Sequence, residues 1–257
     1  MLKDIASVPV ATLVYKEVDG RKLGLHIFEP PEGLSSPRPC VLLIHSGGWT
    51  HGSPQKYFRI AKPLSEMGVV VAVMEYRFID ETIQPSIGVL DAVEDAQDAM
   101  RYLYAHTREL NIDPKRLLAV GGSAGAHLAA GLALFDDLSD ANDPSAYRPV
   151  ALVLFNPVID TSEVGYGNRL LGDQWEKFSP LHQLKPGFPP TLIFHGTGDQ
   201  VAPYEGSRAF AEKAEANGDI CLLITNEGGD HGYYNQSPIF NETMDAIQSF
   251  CEEHGFL

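Results

Sequence analysis

The chain has 257 residues, 44% hydrophobic and 21% charged, which excludes a disordered or fibrous chain. A chain of this size buries roughly 70–75% of its unfolded surface, enough for one sizeable core without metals or disulfides. Its 19 basic against 34 acidic side chains give a net charge of −15, so nucleic acid and anionic membranes are disfavoured as partners.

The first thirteen residues lack a basic segment followed by a long apolar core, so no signal peptide is expected and the expected location is cytoplasmic. Residues 11–29 read as two strands around Asp19-Gly20, a hairpin signal. Residues 40–45 (CVLLIH) form a short continuous apolar run, as in a strand covered on both faces. Residues 55–67 read as a helix and 69–76 as another buried strand. Pro85 opens a long helix to about His106, with Ile87, Leu90, Val93, Ala96, Met100 and Leu103 on one face. The alternation then repeats: a strand at 117–122, a helix from Ala124 to about Phe135, a strand at 151–157, an irregular stretch to Pro190 and a strand at 191–196. A helix over Tyr204–Asn217, a strand at 220–225 and a final helix after Ser237-Pro238 complete the chain.

This pattern predicts an α/β fold: a mostly parallel, doubly wound sheet with an N-terminal antiparallel hairpin and helices on both sides. One domain over 1–257 is expected, with 158–190 as a small insertion. The apolar stretches are far too short to span a bilayer. Cys40, Cys221 and Cys251 cannot all pair and read as buried free thiols. No Cys-x-x-Cys or histidine-rich cluster suggests a metal.

In such sheets, sites form at the carboxyl ends of strands. The strand at 117–121 runs into Gly121-Gly122-Ser123-Ala124-Gly125, and a helix follows at once. A serine thrust out on a sharp strand-to-helix turn leaves no room for side chains two residues either side, and Gly121 and Gly125 remove that collision. Ser123 is therefore the candidate nucleophile. Its hydroxyl needs a base that is neutral near pH 7, which favours histidine. Among nine histidines, His231 lies in Glu227-Gly228-Gly229-Asp230-His231-Gly232, a loop after the last strand that can carry the ring over Ser123. His127 is read as packing beside the turn, and His195 as a core residue holding the next loop. Asp199, on a glycine-rich turn after the strand at 191–196, is the candidate acid, with Asp160 in reserve. The order Ser123, Asp199, His231 is that of the α/β-hydrolase arrangement. For the oxyanion, the turn places the Ala124 amide, and Gly47 and Gly48 after the strand at 40–45 are assigned as the remaining donors.

Taken together, HSGGW at 45–49, EYR at 75–77, GGSAGAHLA at 121–129, HGTGDQVAP at 195–203 and GGDHGYY at 228–234 resemble the α/β-hydrolase superfamily. Within it they look like bacterial carboxylesterases related to hormone-sensitive lipase and to acetyl or feruloyl esterases. The resemblance implies cofactor-free hydrolysis of a small-molecule ester through an acyl-serine. The usual string is His-Gly-Gly-Gly, and here Ser46 replaces the first glycine. Glu75 stands where relatives often have aspartate, and Arg77 is read as bracing the oxyanion loop. About thirty residues separate the strands at 151–157 and 191–196, so little or no cap domain is expected, and an open, short pocket favours short acyl chains such as acetyl, on sugar or aryl alcohols. Trp49, Tyr166, Trp175 and Tyr233 are open to either pocket or packing roles. Two other readings are an arylformamidase or peptidase on the same triad, and a non-catalytic binding protein that keeps the fold.

Overall fold

A computed structural model describes residues 8–79, 88–138 and 147–257. Asp19 and Gly20 both take positive φ (51° and 75°), the conformation that closes a two-residue hairpin between β1 (Ala11–Val18) and β2 (Arg21–Phe28). The remaining strands are β3 (Arg38–Ile44), β4 (Val70–Met74), β5 (Ile112–Gly122), β6 (Leu152–Phe155), β7 (Thr191–Gly196) and β8 (Cys221–Asn226). They form one sheet in the order β1-β2-β4-β3-β5-β6-β7-β8. The β1–β2 and β2–β4 pairs are antiparallel, and every pair from β4–β3 to β7–β8 is parallel.

The long helices are α1 (Phe58–Glu66), α2 (Val89–Ala105), α3 (Ala124–Leu134), then, after two one-turn helices α4 (Asn168–Leu171) and α5 (Pro180–Gln183), α6 (Tyr204–Asn217) and α7 (Ile239–Glu253). Pro85 and Ile87, expected at the start of α2, lie outside the described residues.

Side chains alternate faces along a strand, so the continuous apolar run of β3 feeds two cores. Cys40, Leu42 and Ile44 pack with α2, α3 and α6, whereas Val41 and Leu43 pack with α1 and α7. Helix α3 runs through the first core and buries ten of its residues, Ala124 to Ala133, on every side. That all-round burial fixes the helix that Ser123 immediately precedes.

The structure corrects the reading of Arg77. Its guanidinium points at α2, bonding Asp95 with Nε (2.9 Å), Asp91 with Nη1 (2.6 Å) and Glu94 with Nη2 (2.6 Å). Lys16 of β1 joins the same cluster, its ammonium 2.9 Å from Asp95 and 2.6 Å from Asp98. Glu94, Asp95 and Asp98 stand close enough together to hold a cation, and the Lys16 ammonium is the cation they hold. The bracing of the oxyanion loop falls instead to the neighbouring residue. The buried Tyr76 hydroxyl donates to the His45 carbonyl (3.0 Å), and the Ile79 amide donates to the Trp49 carbonyl (2.8 Å).

Candidate active site

The turn from β5 into α3 is as tight as the glycine pattern demands. Ser123 sits at φ 54°, ψ −119°, outside the regions that residues with a side chain favour. A Cβ on Gly121 would run into the Gly125 carbonyl, and one on Gly125 would run into the Ile44 and His45 carbonyls. A Cβ on Gly122 would meet the Tyr57 hydroxyl. The strained turn is pinned by sheet bonds: the Ser123 amide donates to Phe155 O (2.8 Å), and Val158 donates back to Ser123 O (3.3 Å). Ser123 is buried, at 7% exposure.

His231 is held over that hydroxyl by the loop after β8. Its Nε2 lies 2.9 Å from Ser123 Oγ and its Nδ1 2.6 Å from Asp199 Oδ2. A carboxylate only accepts, so Nδ1 carries the proton and Nε2 is the lone pair facing the serine O–H. Asp199 is buried. Burial alone would raise its carboxyl, but hydrogen bonds from His195, His231, the Val201 amide and Asn156 outweigh it and hold the group well below the usual carboxylate range. It therefore stays charged and can steady an imidazolium. Asp160, the reserve acid, takes the Ser162 amide (2.8 Å), lies 3.9 Å from His182 and makes no bond to His231.

Ala124 begins α3, so its amide has no partner within the helix. Gly47 and Gly48 have φ 137° and 58°, and the packing of Gly125 against Ile44 and His45 brings their loop to the start of α3. The Gly47 carbonyl accepts the Thr50 and His51 amides (both 3.1 Å), which folds the loop back on itself. A Cβ on Gly48 would lie 2.5 Å from the Tyr166 hydroxyl, so that ring closes over the loop. The Tyr57 hydroxyl lies 3.4 Å from that of Tyr234. His45, stacked on Tyr76 at 4.4 Å, and His127, which donates to Phe178 O (2.7 Å), are both buried, and burial pushes each down to about 4.

A cavity of about 400 Å³ lies beside these residues, lined in part by Val158, Asp160, Tyr166, Ala202 and Arg208. Ser123, His231 and Asp199 do not line it themselves, but three of its lining residues touch the site: Val158 bonds Ser123, the Ala202 amide bonds Asp199 (3.0 Å), and Tyr166 covers Gly48. Of the four open aromatics, Tyr166 lines it. Trp49 is fully buried against His127, Trp175 packs on His182, and Tyr233 is buried beside Tyr234.

Two residues at the site escape sequence reasoning. Asn156, at the end of β6, donates to Asp199 Oδ2 (3.1 Å) and to the Asp230 carbonyl (3.3 Å). Tyr57 lies behind the serine turn. The signal for Asn156 was its place directly after a parallel strand; nothing local marks Tyr57.

The BD-FAE family model matches residues 25–214. A probable isoprenylcysteine alpha-carbonyl methylesterase of Arabidopsis thaliana is 26% identical over 86% of this chain and 50% of its own length. This chain thus spans about half the length of those plant relatives. The ethyl acetate hydrolase of Pseudomonas putida is 31% identical over 91% of this chain and 78% of its own. Among solved structures, a thermophilic esterase of Thermogutta terrifontis with propionate bound superposes with a TM-score of 0.86 at 33% identity, covering 96% of this chain and 95% of that one. The same esterase phosphonylated by sarin gives a TM-score of 0.88 at 32% identity, with the same coverage.

Proposed function

The chain belongs to the BD-FAE family and has the α/β-hydrolase fold of carboxylesterases, and from that premise we propose that it is a serine esterase of short-chain acyl esters, of sugar or aryl alcohols. Ser123 attacks the ester carbonyl while His231 takes its proton and Asp199 steadies the imidazolium. The Ala124, Gly47 and Gly48 amides receive the oxyanion, each worth about 10²–10³ in rate. His231 then gives its proton to the leaving alcohol. It next takes one from a water as that water attacks the acyl carbon, and returns it to Ser123 Oγ as the acyl–oxygen bond breaks, which releases the acid and restores the hydroxyl.

The observation that supports this reading most is the unbroken line of hydrogen bonds from Ser123 through His231 to Asp199, at 2.9 and 2.6 Å. The short-chain preference rests on residues 158–190, where α4 and α5 are single turns and no long helix is formed. It also rests on the names of the relatives, an ethyl acetate hydrolase and an esterase holding propionate or butyrate.

Turnover of p-nitrophenyl esters of rising acyl length, in the wild type and in Ser123→Ala, tests both parts. Acetate to butyrate should be the best substrates and Ser123→Ala should be inert while folded. A preference for long chains would overturn the specificity, and turnover by Ser123→Ala would overturn the nucleophile.

A further inference from the structure

Five hydrogen-bond donors converge on the Asp199 carboxylate, and only one is His231. Oδ1 takes the Val201 and Ala202 amides of its own turn (2.8 and 3.0 Å). Oδ2 takes His231 Nδ1 (2.6 Å), His195 Nε2 (3.1 Å) and Asn156 Nδ2 (3.1 Å).

The protons on the two extra partners are fixed by chemistry. His195 Nε2 also lies 3.0 Å from the Ala202 carbonyl, so it faces two acceptors and must carry hydrogen. Its Nδ1 then accepts from the Ser207 hydroxyl at 2.7 Å. The Asn156 amide nitrogen likewise faces only acceptors, Asp199 and the Asp230 carbonyl. Both side chains are held at a cost. Asn156 sits at φ 41°, with its own amide on Phe194 O (2.8 Å), and its Oδ1 is buried without a partner. His195 is completely buried. An asparagine that leaves its carbonyl oxygen orphaned in order to present its N–H₂ to a buried carboxylate serves that carboxylate.

We infer that Asn156 and His195 are positioning residues for the triad acid: they fix Asp199 Oδ2 under the His231 ring, share its negative charge, and so set the pH at which His231 is free to act as a base. The inference rests on the reading of Ser123, His231 and Asp199 given above. A carboxylate oxygen that already accepts two other hydrogens draws a third less strongly. The imidazolium of His231 is then less favoured than beside a bare carboxylate, and the free base persists to lower pH. Around the ring, the titratable groups on the packed elements are Asp199 and His195 from β7 and its loop, and Asp230 beside it, whose carboxylate takes the Gly232 amide (2.9 Å). Among the described residues, no lysine or arginine bonds to any of them.

The test is the pH profile of kcat/KM for p-nitrophenyl acetate in three variants. Asn156→Gly removes one donor and suits the positive φ. His195→Leu removes the other. His195→Gln returns an amide N–H₂ close to the place of Nε2. Loss of either donor should raise the midpoint of the acid limb by about half a pH unit or more and lower kcat about tenfold, with KM within about twofold. His195→Gln should restore the wild-type midpoint. The inference is overturned if Asn156→Gly and His195→Leu both keep the wild-type midpoint, or if His195→Gln is displaced as far as His195→Leu. Should His195→Leu fail to fold, Asn156→Gly decides alone. These outcomes all presuppose ester turnover by the wild type, so they are separate from an inert wild type, which would remove the functional reading itself.

Discussion

At the scale of single residues, the site is a set of donors and acceptors whose identities leave few choices. Among the described residues, Asp199 is the carboxylate bonded to the imidazole of His231, whereas Asp160 is turned to Ser162 and His182. Asp199→Asn should therefore cost about 10³–10⁴ in kcat, the scale expected when a triad histidine is held in the wrong tautomer. Asp160→Asn should stay within about tenfold of wild type. Steady-state kinetics on p-nitrophenyl acetate would check the pair, and the reverse ranking would reassign the acid. That Ser123, Asp199 and His231 would meet was legible because each stands on a glycine-marked turn at the end of an apolar run. Asn156 was not, because its role depends on β6 lying between β5 and β7, and that order is a property of the sheet. Arg77 misled for the same reason. Its partners are on α2 and share a cluster with Lys16 of β1, far away in the chain.

At the scale of elements, two junctions carry the geometry. In the first, the turn from β5 to α3, Gly121 and Gly125 touch backbone that cannot move aside. Gly125→Ala should destabilise the fold by at least about 2 kcal/mol, or push α3 off β3 and lower kcat about a hundredfold or more. Chemical denaturation together with kinetics would read either result, and a variant unchanged in both would contradict the steric account. The other junction ties β1 and the segment after β4 to α2. Asp95 is fully buried between Lys16 and Arg77, so Asp95→Ala removes the buried carboxylate the two cations share, leaves them to Asp91, Glu94 and Asp98, and orphans the Arg77 amide that donates to it (2.8 Å). The expected loss is about 3–5 kcal/mol of stability, with the folded fraction still turning over ester. A loss under about 1 kcal/mol would show that water screens the cluster.

At the scale of the whole molecule, the alternation of strand and helix in the sequence was enough to place helices on both faces of the sheet, because each continuous apolar strand needs two cores. It could not tell which histidines those cores would enclose. His45 and His127 are buried neutral and pushed down to about 4, whereas an unfolded imidazole titrates near 6.5. Between those values the unfolded chain binds protons that the folded one refuses. Stability is thus full above about pH 6.5 and falls as pH drops toward 4, by up to about 1.4 kcal/mol per pH unit for each histidine. Asp199 adds to the loss only at still lower pH, because its folded form is held below the ordinary carboxylate range. Melting temperatures between pH 7 and 4 would check this. A flat curve would mean that the two rings reach water in the folded state.

The proposed ester chemistry depends on a nucleophilic serine activated through His231. Mass spectrometry of the protein after treatment with a fluorophosphonate probe measures this directly, since the probe forms a covalent adduct only with an activated hydroxyl. The adduct should map to the peptide containing Ser123 and should disappear in His231→Ala with the fold intact. An adduct on another residue, no adduct at all, or undiminished labelling without His231 would contradict it.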